Sequence, residues 1–276
     1  MPGRADAYRV ESTNDTYCKW LRNGINIVFP NFELKSLTTA YAVVLLIAFI
    51  VTQSVYASNG NWTCTLYWSG ARYTYAITRK GHIHRLILPL IYHAGFFHIF
   101  WNLFSLFQIG FSVHKFLGSW QRYLLLTFAS GIMGNVVSGT ISGYSIGVGA
   151  STSIFGMFGA YGVWLYYNWS ALGKLKYWVI TSFGLVVLFQ FLDGFGSAGR
   201  GIDLWAHLGG FTFGALITFL IMPRPEEPAD DAAKRKERKL KIIVIASLVI
   251  LSITFITALF AQPLPLCDQL DCANIC

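Results

Sequence analysis

The chain has little charge. Asp, Glu, Lys and Arg make up 12% of its 276 residues, about half the roughly 25% of an ordinary soluble domain. Acidic residues are scarcer still, and none stands between Arg85 and Asp193. No His-Glu-x-x-His occurs, so the helix-borne pattern of a zinc protease is missing. An aspartyl site inside a membrane needs two Asp on facing helices, whereas Asp193 and Asp203 both fall near expected helix ends. No metal or cofactor is expected. No internal repeat is visible, which speaks against an inverted-repeat transporter using polar residues as a path. No cleavable signal is expected either, because the first apolar run starts only after 36 polar residues, too deep for a secretory n-region.

Apolar length is abundant instead. Hydrophobic residues reach 54% and aromatics 16%. Seven runs approach the ~20 residues needed to span a bilayer: 37–57, 86–111, 122–141, 149–167, 177–192, 203–222 and 242–261. The predicted fold is an all-α polytopic membrane protein. The predicted organisation is an N-terminal arm over 1–36 and a six-helix core over 37–222 with a long aromatic external loop at 58–85. A basic linker over 223–241, a seventh helix over 242–261 and a Cys-rich tail over 262–276 follow. Aromatic rings favour the headgroup level, so that loop is expected to lie partly in the interface.

The net charge of +8 raises nucleic acid as a partner, and its distribution answers the question. Seven spans with a cytosolic N-terminus put most Lys and Arg on the inside, densest from Lys234 to Lys241. The positive-inside rule accounts for this, with some contribution from anionic lipid. The expected partner is the bilayer, not nucleic acid. On the same topology Cys64, Cys267, Cys272 and Cys276 face an oxidising compartment. They allow three disulfide pairings, and spacing does not choose among them. The sequon Asn61-Trp62-Thr63 is external too, while those at Asn14 and Asn168 fall inside.

Hydrolysing a peptide needs a nucleophile, a base and donors for the oxyanion. Ser151 begins the fourth run within Gly149-Ala150-Ser151-Thr152. His207 lies inside the sixth, where an ionisable side chain is costly and reads as functional. His98 and Asn102 stand one helical turn apart on one face, able to donate to an oxyanion or to bond between helices. His93 reads as a packing or loop-anchoring residue. Asp203, four residues before His207, has two readings: an acid at the positive end of a helix, or a group that orients the imidazole. Small residues at Gly149, Ser153, Gly156 and Ala160, and at Ala206, Gly210 and Gly214, allow the fourth and sixth helices to approach closely.

Three segments resemble the motifs of the rhomboid proteases: His93 through Asn102, Gly149 through Gly156, and Ala206 through Gly210 with Gly214. They occur in the family's order across about 84–222. The resemblance implies a six-helix rhomboid core with one added C-terminal transmembrane helix, as in secretory-pathway members. It implies that Ser151 is the nucleophile and His207 the base, with His98 and Asn102 assisting the oxyanion site. It implies cleavage of single-span membrane proteins near the external surface, without a cofactor. The expected location is the secretory pathway or plasma membrane, with the active site opening to the external or lumenal side. An inactive rhomboid-like protein that binds membrane clients is the alternative. Two positions depart from the pattern. Thr152 stands where the family most often has Gly, and a β-branched residue stiffens the backbone there. His84-Arg85 replaces the usual Trp-Arg, which leaves Arg85 as the loop anchor.

Overall fold

The structure is a computed structural model. It describes residues 24–26, 28–174, 203–223 and 230–263, with Lys176, Tyr177, Ile180, Thr181, Gly184, Leu185 and Leu188. Outside the described residues lie most of the expected arm, much of the expected span at 177–192, Asp193, and the tail with Cys267, Cys272 and Cys276.

The described helices are α1 (Leu37–Asn59), α2 (Trp62–Ser69), α3 (Thr74–Lys80), α4 (Phe96–Leu117), α5 (Trp120–Ile141), α6 (Ser151–Asn168), α7 (Leu204–Ile221) and α8 (Asp231–Phe260). No strand occurs among the described residues. The chain is an all-α, multi-pass membrane protein. Among the described residues, five helices are long and apolar enough to cross a bilayer: α1, α4, α5, α7 and α8. The described positions at 176–188 are helical. The first half of α6 is buried from Ser151 to Ala160. Enclosed by protein, it can carry Ser, Thr and Gly where a lipid-facing helix would carry Leu and Ile.

Two boundaries differ from the hydropathy pattern. The apolar run starting at 86 does not begin as α-helix. Pro89 and Gly95 interrupt it, and Ile83–Leu86 and Leu88–Leu90 form two 3-10 turns before α4 starts at Phe96. The seventh helix starts at Asp231, well before the expected 242, so part of the expected linker is helical. Asp230 caps it by accepting from the Ala233 amide at 2.7 Å. Glu237 pairs with Lys241 at 2.8 Å, one turn on. Lys, Arg, Glu and Ala are strong helix formers, so the charged stretch extends the span as helix.

α6 lies against α7, α5 and α4, and α7 also packs on α5. The α6–α7 crossing is close because backbones touch there. A Cβ on Gly214 would overlap the Gly156 backbone, and one on Gly210 the Thr152 carbonyl. Ser153, on the small-residue stripe, turns instead toward α5, donating to the Thr127 carbonyl at 2.8 Å. The main core runs through Leu106, Ile154, Met157 and Phe213. The loop between α1 and α4 has a small core of its own from Cys64, Tyr67, Tyr73 and Ala76, while Trp68 is exposed. Leu46, Ile47 and Ile50 on α1 and Ile242, Val249 and Ile253 on α8 are exposed, as lipid-facing side chains are.

Candidate active site

Gly149 has φ 139°, a conformation open to glycine and strained for other residues. A Cβ there would also stand 2.9 Å from His98 Nε2. Gly149 donates to the Pro89 carbonyl at 2.8 Å, and the Ala150 amide donates to His93 Nε2 at 3.3 Å. These bonds hold the two residues before Ser151, so α6 starts at a defined place with Ser151 as its first residue. His93 is thus a loop anchor directly behind the serine.

His207 lies in the first turns of α7, with its amide donating to the Asp203 carbonyl at 3.1 Å. Its Nε2 stands 2.8 Å from Ser151 Oγ. Both residues are buried, at 7% and 5% exposure. Phe155, one turn beyond Ser151, stacks on the imidazole with centroids 4.1 Å apart and planes at 10°. That stack fixes the ring plane, and the hydrogen bond fixes the edge that meets the serine. Nδ1 of His207 has no partner among the described residues.

The Ala94 amide donates to His98 Nδ1 at 3.3 Å. A nitrogen that accepts carries no proton, so the His98 proton sits on Nε2. That nitrogen is the one facing Gly149 and the entrance to Ser151. His98 therefore presents a donor on the serine side. Its ring packs edge-on against His93 at 5.0 Å. Asn102 is buried and donates through Nδ2 to the His98 carbonyl at 2.8 Å, within its own helix.

The Asp203 carboxylate is occupied by other groups. It accepts from the Ala206 amide at 3.0 Å, from Ser138 Oγ at 2.6 Å and from Arg72 Nη2 at 3.0 Å. No hydrogen bond joins it to the His207 ring among the described residues. Arg72, absent from the motif reading, is fully buried. A lone Arg in an aromatic loop carries no signal that it folds inward, and its partner lies 131 positions away. Arg85 is buried too, donating to the Tyr67 and Ala71 carbonyls at 2.8 and 2.9 Å and lying over the Tyr67 ring. It ties two turns of the loop together without a neighbouring Trp.

Thr152 continues a regular helix. Its methyl rests on Gly134 of α5, where a Cβ would overlap it. The extra bulk at the serine motif is accommodated by a missing side chain on the neighbouring helix. Cys64 is disulfide-bonded, and each of the other four cysteines lies outside the described residues.

The Rhomboid domain family model matches residues 80–224, which include every motif residue above. Rhomboid-like protease 1 of Toxoplasma gondii is 34% identical over 204 residues, covering 71% of this chain and 67% of the relative. RHOMBOID-like protein 1 of Arabidopsis thaliana is 32% identical over 167 residues, 60% of this chain and 42% of the relative. Rhomboid-type serine protease 2 of Emericella nidulans is 32% identical over 145 residues, 51% of this chain and 27% of the relative. The chain belongs to the rhomboid family of intramembrane proteases.

Proposed function

We propose that the chain is an active intramembrane serine endopeptidase that cuts single-span membrane proteins through Ser151 and His207. The observation that carries this is the 2.8 Å approach of His207 Nε2 to Ser151 Oγ inside a closed bundle. His207 takes the hydroxyl proton at Nε2 while Oγ attacks the scissile carbonyl carbon. The carbonyl oxygen becomes an oxyanion beside the Ser151 amide, the first of α6, whose helix N-terminus favours negative charge. Nε2–H of His98 is the second donor. His207 then gives its proton to the leaving amine, and a water molecule hydrolyses the acyl-enzyme with His207 again as base. Asn102, bonded to the His98 carbonyl, steadies the turn that carries the imidazole. Asp203 is a cap and ion-pair partner in this reading, so the pair works as a dyad. No cofactor is called for.

The near-complete burial of Ser151 and His207 supports a substrate that arrives unwound, since a helix about 10–12 Å across does not reach a covered hydroxyl. The disulfide at Cys64 supports an external or lumenal site. The loop bearing it covers the Ser151 end through the Arg72–Gly147 backbone pair, and disulfides persist in oxidising compartments. That side belongs to the secretory pathway or the plasma membrane. The basic start of α8 lies at the far end of that helix from Pro263, whose carbonyl meets Tyr144 near the site loop. This supports a cytosolic face there.

The test is release of the ectodomain of a tagged single-span reporter co-expressed with the chain. Wild type releases it, whereas Ser151→Ala and His207→Ala reduce release to background at unchanged expression. Undiminished release by Ser151→Ala would falsify the assignment. Absent release by the wild type, with the reporter co-purifying, would favour the client-binding alternative.

A further inference from the structure

Arg72 joins the two arms of the site. Its backbone pairs with Gly147 in both directions, at 2.8 and 3.0 Å. Gly147 lies in the short segment that leads to Ser151. Arg72 Nη2 donates to Ser145 Oγ on that segment and to Asp203 Oδ2, each at 3.0 Å. Asp203 caps α7 one turn before His207. Ser138, near the end of α5, completes the group by donating to the same carboxylate. One buried residue of the first loop is thereby bonded both to the strand of chain that delivers the serine and to the helix start that delivers the histidine.

We infer that Arg72, acting through Asp203 and Gly147, is a positioning residue that sets the Ser151–His207 separation. The inference rests on the protease reading. The physical reason is rigidity. A guanidinium with 1% exposure beside a carboxylate with 26% is held in a mostly dry place, where a charged pair with further hydrogen bonds resists displacement. Among the described residues, α6 and α7 also meet through the Phe155–His207 stack and at the backbone crossing of Thr152 with Gly210, and neither of these holds the segment before Ser151 to the start of α7. Without the clip, the ends of α6 and α7 can separate while the crossing beneath stays packed. A 2.8 Å hydrogen bond between Nε2 and Oγ does not survive a shift of about 1 Å, and such a shift costs roughly 100-fold in rate.

The test uses the purified full chain in detergent with a single-span reporter, measuring kcat, KM and thermal unfolding. Labelling of Ser151 by a fluorophosphonate reads nucleophile activation without a protein substrate. Arg72→Ala and Asp203→Asn are each expected to lower kcat about 100-fold with KM held within about twofold, and to slow labelling in parallel. The double variant is expected to be no worse than the poorer single one, since both remove the same link. Arg72→Lys keeps the charge but replaces the planar head, whose Nη2 holds both Ser145 and Asp203, with a tetrahedral ammonium of different reach. It is expected to fall about tenfold and carries the test if Arg72→Ala does not fold. Wild-type kcat and labelling in a folded Arg72 variant overturn the inference, as do additive losses in the double variant. So does a lowered melting temperature with unchanged kcat, which marks a purely structural pair. Cleavage persisting in Ser151→Ala is a separate outcome that removes the protease reading itself.

Discussion

At the scale of single residues, the site is built from groups whose neighbours decide their roles. His93 is buried and His98 half-buried, and the two imidazoles face different tasks. Backbone amides occupy Nδ1 of His98 and Nε2 of His93, so the free proton of His98 points to the serine side and that of His93 points away. His98→Ala is therefore expected to lower kcat by about 100- to 1000-fold, the usual loss of one oxyanion donor. KM should be little changed, because the donor acts on charge that develops only in the transition state. Steady-state kinetics on a reporter peptide checks this, and a KM effect alone would assign His98 to binding. The motif supplied both histidines, but their tautomers follow from which backbone amides the fold aims at them.

At the scale of elements, contact between α5, α6 and α7 depends on missing side chains. Gly134 accepts the Thr152 methyl and lies against the Ala206 carbonyl and Gly210 amide. Gly134→Ala inserts a methyl where backbone atoms of α7 stand within 3 Å, so α7 must move. The expected cost is about 1–3 kcal/mol of stability, seen as a lower melting temperature in detergent, with activity falling further than stability because His207 rides on α7. The same substitution at Gly162 of α6, whose surroundings hold no atom within 4 Å of a Cβ, is the control for general damage. Small-residue spacing made the closeness of the fourth and sixth helices legible in the sequence. It did not reveal that α5 inserts its own glycine between them, since a single Gly in an apolar helix has many ordinary uses.

At the scale of the whole molecule, α8 is part of the frame. Leu259, 1% exposed, fills a slot beside Ile77, Leu86 and Val136 and approaches Gly139 of α5. Thr140 donates to the Phe255 carbonyl at 3.1 Å. Gly139 follows Ser138, the residue that holds Asp203, and its carbonyl accepts from Thr74 of the loop at 3.0 Å. The C-terminal end of α8 thus backs the point where loop, α5 and α7 meet. Leu259→Ala is expected to destabilise by roughly 2 kcal/mol, toward the low end for a core Leu, because the lipid it would otherwise meet is as apolar as the slot. Thermal unfolding reads the loss, and an unchanged melting temperature would mark the helix as an appendage.

Low charge and seven apolar runs settled the membrane class, because a bilayer admits few backbones besides the helix. The motif residues told which chemistry to look for, since a histidine in an apolar helix has few inexpensive explanations. Two helix starts differ from the apolar runs, because hydropathy alone does not mark where the backbone turns helical. Pro89 and Gly95 delay α4, and good helix formers carry α8 back to Asp231. Only the tertiary structure decided that Asp203 is taken by Arg72 and Ser138, that Thr152 rests on Gly134, and that Ser151 and His207 stand 2.8 Å apart. Periodicity reports which face of a helix is buried. Pairings between residues more than 50 or 100 positions apart arise when several elements pack at once, and no local pattern carries them.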